Sequence, residues 1–190
     1  LYDEFSHTTR RELDFVQEGR NADRFAADFA SDQGVYIADV YWDYTTRRVL
    51  TLENVASIKI DDLLAIEAAG ISRAQVARKL YDTYLEQIFV HSFVHADPHP
   101  GNLFIHPLDR PQNAPVDAPR PFLLIFVDFG MVAVIPETLR ASLRDVAIAV
   151  GTRDAQRLVQ AYYDAGVLLP GAERQRLEEL HEVIFARFGG

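Results

Sequence analysis

The sequence predicts an α+β fold in which helices and short β-hairpins alternate and the C-terminal part is helical. Three observations lead to this fold class. Several segments carry apolar residues at helical spacing, and two pairs of β-rich segments are joined by turn-forming residues. In addition, 48% of the 190 residues are apolar, which is enough for a substantial core in one domain.

The N-terminal part predicts one long helix and one hairpin. Residues 3–30 are rich in alanine and carry apolar residues at helical intervals, so a helix is expected there. Residues 35–40 and 47–52 are β-rich segments on either side of a polar turn, which predicts an antiparallel hairpin. A short helix near 61–69 should end at Gly70, since glycine readily adopts the left-handed conformation that terminates a helix.

The most regular helix is predicted to begin after Ser72 and to continue as far as Ser92. Ser72 and Gln75 form a capping-box pattern at its start. Its apolar residues fall in two adjacent rows at a spacing of four, which predicts a wide buried stripe. The rows are Val76, Leu80, Tyr84 and Ile88, and Ala77, Tyr81, Leu85 and Phe89.

The second half predicts a hairpin followed by helices. Residues 103–105 and 122–127 are apolar strand candidates, and the proline-rich residues between them predict an exposed loop. Five residues separate Gly130 from Pro136, and proline suits the first turn of a helix. The expected helices are 136–150, 153–165 and 171–188, with Gly151 and Gly166 at helix ends.

Three polar side chains in two loops form the strongest chemical pattern. The run from His95 to Asn102 fits His-x-Asp-x-x-x-x-Asn, and Asp128 opens an Asp-Phe-Gly turn after an apolar strand. Phosphoryl transfer from ATP uses such a set. Asp97 can orient or deprotonate the acceptor, and Asn102 and Asp128 can hold Mg²⁺. Asp128 is expected at the end of a buried strand, where an unpaired charge costs several kcal/mol.

Simpler interpretations of these acidic residues remain open. Asp97 and Asn102 could serve only as turn residues. Asp14 and Glu18 lie four residues apart near the start of the first helix, where they could form a solvated acidic face. The spacing of Asp97, Asn102 and Asp128 nevertheless favours a catalytic site.

Three histidines at a spacing of four suggest a zinc site as a further alternative. His91, His95 and His99 would converge on one face if the helix continued through them. Pro98 interrupts that helix. We therefore expect His95 to be a buried residue that orients the loop.

Composition argues against several classes of protein. The formal charge of -9 argues against a nucleic-acid-binding protein. Cysteine is absent, which excludes disulfides and thiol chemistry. The sequence contains no apolar run long enough to span a bilayer. It begins at Leu1 rather than Met, so we expect a fragment of a longer protein.

These residues resemble the UbiB (ABC-one/ADCK) family of atypical protein-kinase-like proteins, over essentially all 190 residues. The resemblance implies a protein-kinase-like fold, ATP and Mg²⁺ as cofactors, and a role in ubiquinone or related isoprenoid-quinone biosynthesis. It implies one kinase-like domain over 1–190, in which 1–53 is the remainder of the N-lobe and 54–190 is the helical C-lobe. The matching segments are 12–15, 41–53, 75–77, 93–102 and 127–131.

The resemblance also implies roles for individual residues. Asp97 matches the catalytic Asp, with Asn102 and Asp128 as magnesium ligands. Glu18 matches the Glu that pairs with the ATP-anchoring Lys. The other matches are the Glu-x-Asp motif at Glu12 and Asp14, the hinge beside the adenine at Glu53, Asn54 and Val55, and the motif histidine His95.

The sequence departs from the family pattern in its nucleotide-clamping half. The Lys-x-Gly-Gln segment, the Ala-rich loop and the strand Lys are absent, and the lysines present, Lys59 and Lys79, follow the hinge. Glu18 is therefore expected to lack its partner, and this chain alone is expected to bind nucleotide weakly without turnover. The family's membrane segment is absent too. We expect a cytoplasmic protein whose full-length form contacts the membrane surface through parts outside this chain.

Two local features favour a small acceptor over a protein substrate. Ala96 replaces the Arg that receives a phosphorylated activation loop in His-Arg-Asp kinases. The run from Met131 to Ile135 is too short for the segment on which a protein substrate lies. The sequence thus predicts an ATPase, or a kinase acting on a lipid or another small molecule. The alternatives are an aminoglycoside-type phosphotransferase and a nucleotide-gated scaffold that binds lipid or quinone-pathway enzymes.

Overall fold

The computed structural model describes residues 14–113, 115, 118–168 and 171–188. These residues form a mixture of helix and sheet, which confirms the predicted α+β class. The chain divides into two compact units, Leu1–Ala133 and Val134–Gly190. The predicted division into lobes at residue 53 stays a prediction.

A four-stranded sheet organises the first unit, in the order β1-β5-β4-β2. Strands β4 (Leu103–Pro107) and β5 (Phe122–Phe126) form the antiparallel pair that the sequence predicts, with Leu103 opposite Phe126. Strand β2 (Ile58–Lys59) lies antiparallel to β4. Strand β1 (Val35–Ile37) lies parallel to β5 at the other edge.

The hairpin predicted over 35–40 and 47–52 forms only in part. The two segments meet antiparallel at one isolated bridge, between Val40 and Leu52, and the Glu53 N–H donates to the Asp39 C=O at 2.8 Å. Between Val40 and Leu52 the chain forms a 3₁₀ turn at Trp42–Tyr44 and a second bridge, between Thr46 and Val49. The start of the first segment pairs with β5 instead. The physical reason is burial: Val35 and Ile37 enter the core, whereas Val49 is 52% exposed and gains little from a ladder.

Three helices pack on this sheet. Helix α1 is Phe15–Asp28, and the earlier residues of the predicted 3–30 helix lie outside the described residues. Helix α2 is Leu63–Ala68, and Gly70 follows it with φ +77°, as expected. Helix α3 is Arg73–Glu86, continued by a π-helical turn at Gln87–His91.

The start of α3 is as predicted, but its buried stripe is narrower. Ser72 caps the helix by accepting from the Gln75 N–H at 3.5 Å. Its buried helical residues are Val76 and Thr83, whereas Tyr81 in the second predicted row is 61% exposed. The core lies instead between α1 and the sheet, where aromatic residues dominate. Those aromatic core residues are Phe25, Phe29, Phe93, Phe126 and Phe129.

A short strand that the sequence did not predict follows the Asp-Phe-Gly turn. Strand β6 (Val132–Val134) pairs with β3 (Phe93–His95) in a separate two-stranded sheet. The Ala96 N–H also donates to the Met131 C=O at 3.0 Å. A run this short carries too few residues to show a strand period.

The second unit is helical, as predicted. Helices α4 (Glu137–Thr152) and α5 (Ala155–Asp164) pack together, and α6 (Arg174–Phe188) follows. Gly166 ends α5 with φ +69°, but Gly151 lies inside α4, because Arg153 adopts the left-handed conformation that ends that helix. In the part of the chain that the structure describes, no helix combines the length and apolar character needed to cross a bilayer.

Candidate active site

The two residues of the predicted catalytic loop, Asp97 and Asn102, contact each other directly. The loop leaves β3, where prolines prevent a helix, and a 3₁₀ turn at Pro100–Asn102 leads it into β4. The Asn102 Nδ2 donates to Asp97 Oδ2 at 2.9 Å. Within the described ranges, the Asn102 amide oxygen and the other Asp97 carboxylate oxygen have no hydrogen-bond partner, so both can act on a ligand.

Strand pairing brings Asp128 beside this loop. The Val127 N–H donates to the Asn102 C=O at 3.0 Å, and Asp128 follows immediately. Asp128 has φ +62°, and its Oδ1 accepts from the Gly130 N–H at 3.2 Å. Its side chain is exposed, so the expected burial of this charge is wrong. The backbone turns out of the sheet at Asp128. The carboxylate therefore stays in solvent, where it can bind a cation without the free-energy cost of burying a charge in the core.

The donors at this site fit magnesium. Asn102 offers an amide oxygen and Asp128 an exposed carboxylate, on adjacent strand ends. Magnesium takes one or two carboxylates and leaves its other positions to phosphate oxygens and water. Nowhere in the described ranges do three or more His, Cys, Asp or Glu residues cluster as a metal site. The three histidines therefore form no zinc site there.

His95 is buried beneath the two loops. Its Nε2 lies 2.8 Å from the Asp128 C=O and 3.2 Å from the Val127 C=O. Since both neighbours are acceptors, the ring proton belongs on Nε2. The ring also packs edge-on against Phe129, with centroids 5.3 Å apart. This is the buried position that the sequence predicts for His95, with contacts that connect β3 to the Asp-Phe-Gly turn.

Tyr84 on α3 adds a polar contact under the loop. Its hydroxyl donates to the His95 C=O at 3.3 Å. Burial, with a smaller contribution from the Asp97 charge, raises the pKa of Tyr84 to about 12. The phenol therefore stays protonated at neutral pH and serves as a donor near Asp97.

Glu18 on α1 faces the Asp-Phe-Gly turn. Burial raises the pKa of the Glu18 carboxyl, and the charge of Asp128 adds to this, whereas a hydrogen bond from the Phe129 backbone opposes it. A Cβ built on Gly130 would lie 3.8 Å from Glu18 Oε2, which shows how close the carboxylate comes to the turn. Neither lysine approaches it: Lys79 pairs with Asp32 at 2.5 Å, and Lys59 is exposed.

Asn21 is a contact that the sequence did not predict. Its Nδ2 donates to the Phe129 C=O at 2.9 Å, and its Oδ1 accepts from Gln17 Nε2 at 3.0 Å. One signal was available, because Glu18, Asn21 and Phe25 recur at helical spacing on one face. Asparagine alone gives no reason to place it in a core.

The predicted hinge residues follow the second segment of the first predicted hairpin. Glu53 Oε2 accepts from the Tyr36 hydroxyl at 2.6 Å, and this bond raises the pKa of Tyr36 to about 12. Asn54 Oδ1 accepts from the Ala56 N–H at 3.2 Å. Among the residues that the structure describes, neither the N–H nor the C=O of Val55 has a partner.

Asp14 has a structural position at the start of α1. Its Oδ1 accepts from the Val16 N–H at 3.2 Å, and its Oδ2 lies 3.2 Å from Arg47. It therefore caps the helix and holds the hairpin turn. Glu12, the other residue of the predicted Glu-x-Asp motif, lies outside the described residues.

Comparison with known proteins agrees with the interpretation of the site geometry. The family described as the ABC1 atypical kinase-like domain matches residues 1–162. The chloroplastic protein ACTIVITY OF BC1 COMPLEX KINASE 8 of Arabidopsis thaliana is 36% identical over 170 residues, 90% of this chain and 21% of that protein. ACTIVITY OF BC1 COMPLEX KINASE 7 of the same plant is 38% identical over 170 residues, 90% and 23% of the two chains.

A relative from another lineage also carries a kinase name. The "Probable serine/threonine-protein kinase abkB" of Dictyostelium discoideum is 35% identical over 137 residues, 72% of this chain and 19% of that protein. The chain thus spans about a fifth to a quarter of the length of the curated relatives it matches.

Proposed function

This chain belongs to the ABC1 atypical kinase-like family, and from that membership we propose that it carries the magnesium-and-acceptor half of an ATP-dependent phosphotransferase or ATPase site. The observation that supports this most directly is the 2.9 Å contact between Asn102 and Asp97, beside Asp128. In this proposal, the contact keeps the acceptor-side carboxylate of Asp97 next to Asn102, one of the two side chains proposed to bind the metal. ATP and Mg²⁺ are the cofactors that this proposal requires.

Each residue then has one task. Asn102 and Asp128 would hold Mg²⁺, which neutralises charge on the phosphates when it is bound. Asp97 would accept the proton of the attacking hydroxyl or water through the oxygen that Asn102 leaves free. His95 keeps the two loops together by donating to the Asp128 C=O.

The hinge proposal has separate support. The unpaired N–H and C=O of Val55 are the donor and acceptor types that an adenine edge can satisfy. The Glu53 side chain is engaged by Tyr36, which holds the start of this segment. We propose that the backbone from Glu53 to Val55 receives the adenine.

The acceptor is proposed to be water, a lipid or another small molecule. After Gly130 the chain enters β6, which pairs with β3, and α4 begins at Glu137. Residues Val132–Val134, between the Asp-Phe-Gly turn and this helix, therefore lie in a sheet. This supports the proposal that they do not form a platform for a protein substrate. For the whole protein, we propose a role in isoprenoid-quinone metabolism, with lipid or quinone-pathway molecules as partners.

Turnover by the full-length protein tests the proposal. ATP hydrolysis should fall by about 10²-fold or more in Asp97→Asn, since a general base contributes that much, and Asp128→Asn should weaken Mg²⁺ dependence. Arg20→Gln, on the exposed side of α1, is the matched control. Equal function in all three variants would instead support the nucleotide-gated scaffold, which needs no chemistry.

A further inference from the structure

The conformation of Asp128 has to be maintained by its surroundings. Its φ of +62° lies in the left-handed region, which residues with a Cβ adopt at an energetic cost. Such a residue persists where neighbouring contacts fix the backbone on both sides. The contacts on either side of Asp128 therefore show what holds the metal-binding turn.

Two buried side chains hold the successive carbonyls of this turn. His95 lies 2.8 Å from the Asp128 C=O, and Asn21 donates to the Phe129 C=O at 2.9 Å. The Glu18 carboxylate lies near the same turn, since a Cβ built on Gly130 would be 3.8 Å from its Oε2. The Phe129 ring is fixed as well, at 5.1 Å from the ring of Phe25. Helix α1 thus holds Phe129 through its C=O and its ring.

The surroundings of Asn21 direct its side-chain amide toward Phe129. Its side chain is 9% exposed, and Gln17 donates to its Oδ1, which leaves Nδ2 directed at Phe129. We propose that Asn21 is a positioning residue that fixes the Asp-Phe-Gly turn to α1 and so sets the affinity of Asp128 for a divalent cation. Only the cation arm of this inference rests on the proposed function. A displacement of α1 would then pass directly to the metal-binding turn.

Amide exchange in the metal-free chain tests the positioning itself. In Asn21→Leu, exchange over residues 127–131 should accelerate about tenfold or more, because the buried hydrogen bond to the Phe129 C=O is lost. Asn21→Asp keeps the size of the side chain but cannot donate when ionised, so it should accelerate the same amides. Arg20→Gln should leave them unchanged. Uniform acceleration through α1, β3 and β5, or none in either variant, would overturn the proposal.

Titration with MgCl₂ alone, followed at the Gly130 amide by NMR, tests the cation arm. The apparent Kd should rise about fivefold or more in both Asn21 variants relative to Arg20→Gln, as expected for a misplaced ligand. An unchanged Kd in variants with a loosened turn would overturn the effect on the cation. A wild-type protein that ignores MgCl₂ as Asp128→Asn does would contradict the proposed function, and amide exchange would still decide the role of Asn21.

Discussion

At the scale of single residues, the ion pair between Lys79 and Asp32 makes the stability of the fold depend on pH. The lysine Nζ lies 2.7 Å and 2.5 Å from the two carboxylate oxygens, and both side chains are about three-quarters buried. Burial alone would raise the pKa of Asp32, but the hydrogen bonds from Lys79 and the Gly34 backbone hold it below its ordinary value. A lowered pKa means that the folded state favours the ionised carboxylate.

We predict that Lys79→Met lowers the free energy of unfolding at pH 7 by about 1 kcal/mol, as partly screened ion pairs do. The contribution of Asp32 is fully present above its unfolded pKa of about 3.9 and is lost as the pH falls through the lower folded value. Urea unfolding between pH 7 and pH 2 should therefore show the wild type and variant converging in acid. Lys59→Met is the control, and a difference that persists at pH 2 would contradict the prediction.

Single residues also show how far the sequence could be interpreted. The proximity of Asp97 and Asn102 could be predicted, because the two residues are five positions apart in one loop. The exposure of Asp128 was not, since an apolar strand before a residue does not reveal that the backbone turns at that residue. The contact of Asn21 depends on a partner more than a hundred positions away, which no local pattern contains.

At the scale of elements, α1 and the 3₁₀ turn meet at a glycine. A Cβ on Gly19 would lie 2.9 Å from Trp42 Cη2 and 3.3 Å from Cζ2. The indole also donates to Asp23 at 2.9 Å. The absence of a side chain at Gly19 therefore lets this ring pack against the helix.

We predict that Gly19→Ala destabilises the protein by about 1 kcal/mol. The gain of about 1 kcal/mol in helix propensity is outweighed by overpacking of about 1–3 kcal/mol against the ring. Trp42 is the sole tryptophan, so its emission should shift to the red as the ring is displaced.

Gly151→Ala is the matched control, because a Cβ there meets nothing within 4 Å in helix α4. It should stabilise the protein by up to about 1 kcal/mol. A Gly19→Ala protein as stable as the Gly151→Ala protein, with unchanged emission, would contradict the packing described above.

Elements with a clear period were predicted best. Helices α4 and α5 followed from the positions of Pro136 and Gly166, and β4 and β5 followed from two apolar runs around a proline-rich loop. Gly151 was the exception, since it lies inside α4. The first hairpin formed only in part, because β-branched residues indicate a strand without indicating its partner, and β1 pairs in parallel with β5. The π-helical turn after α3 was not predicted, because the helical spacing of apolar residues continues through it unchanged.

At the scale of the whole molecule, the formal charge of -9 disfavours binding to nucleic acids. We predict no saturable binding of a labelled duplex DNA in fluorescence anisotropy at physiological salt, because the phosphate backbone and the protein repel each other. A basic DNA-binding domain serves as the positive control. Saturable binding that weakens steeply with added salt would contradict the prediction.

The family and the fold class followed from the sequence because they depend on motif order and composition. The boundary between compact units depends on which elements contact one another, and no local sequence pattern contains that information. Residues Leu1–Ala133 form one such unit and Val134–Gly190 another.

The parallel pairing of β1 with β5 has a consequence for how the chain is made. Val35 pairs with Leu124, so the strand synthesised first must wait for one that leaves the ribosome much later. At about 5–20 residues per second this wait lasts several seconds, far longer than hydrophobic collapse. The nascent segment containing α1 and β1 therefore spends that interval without the strand that β1 pairs with.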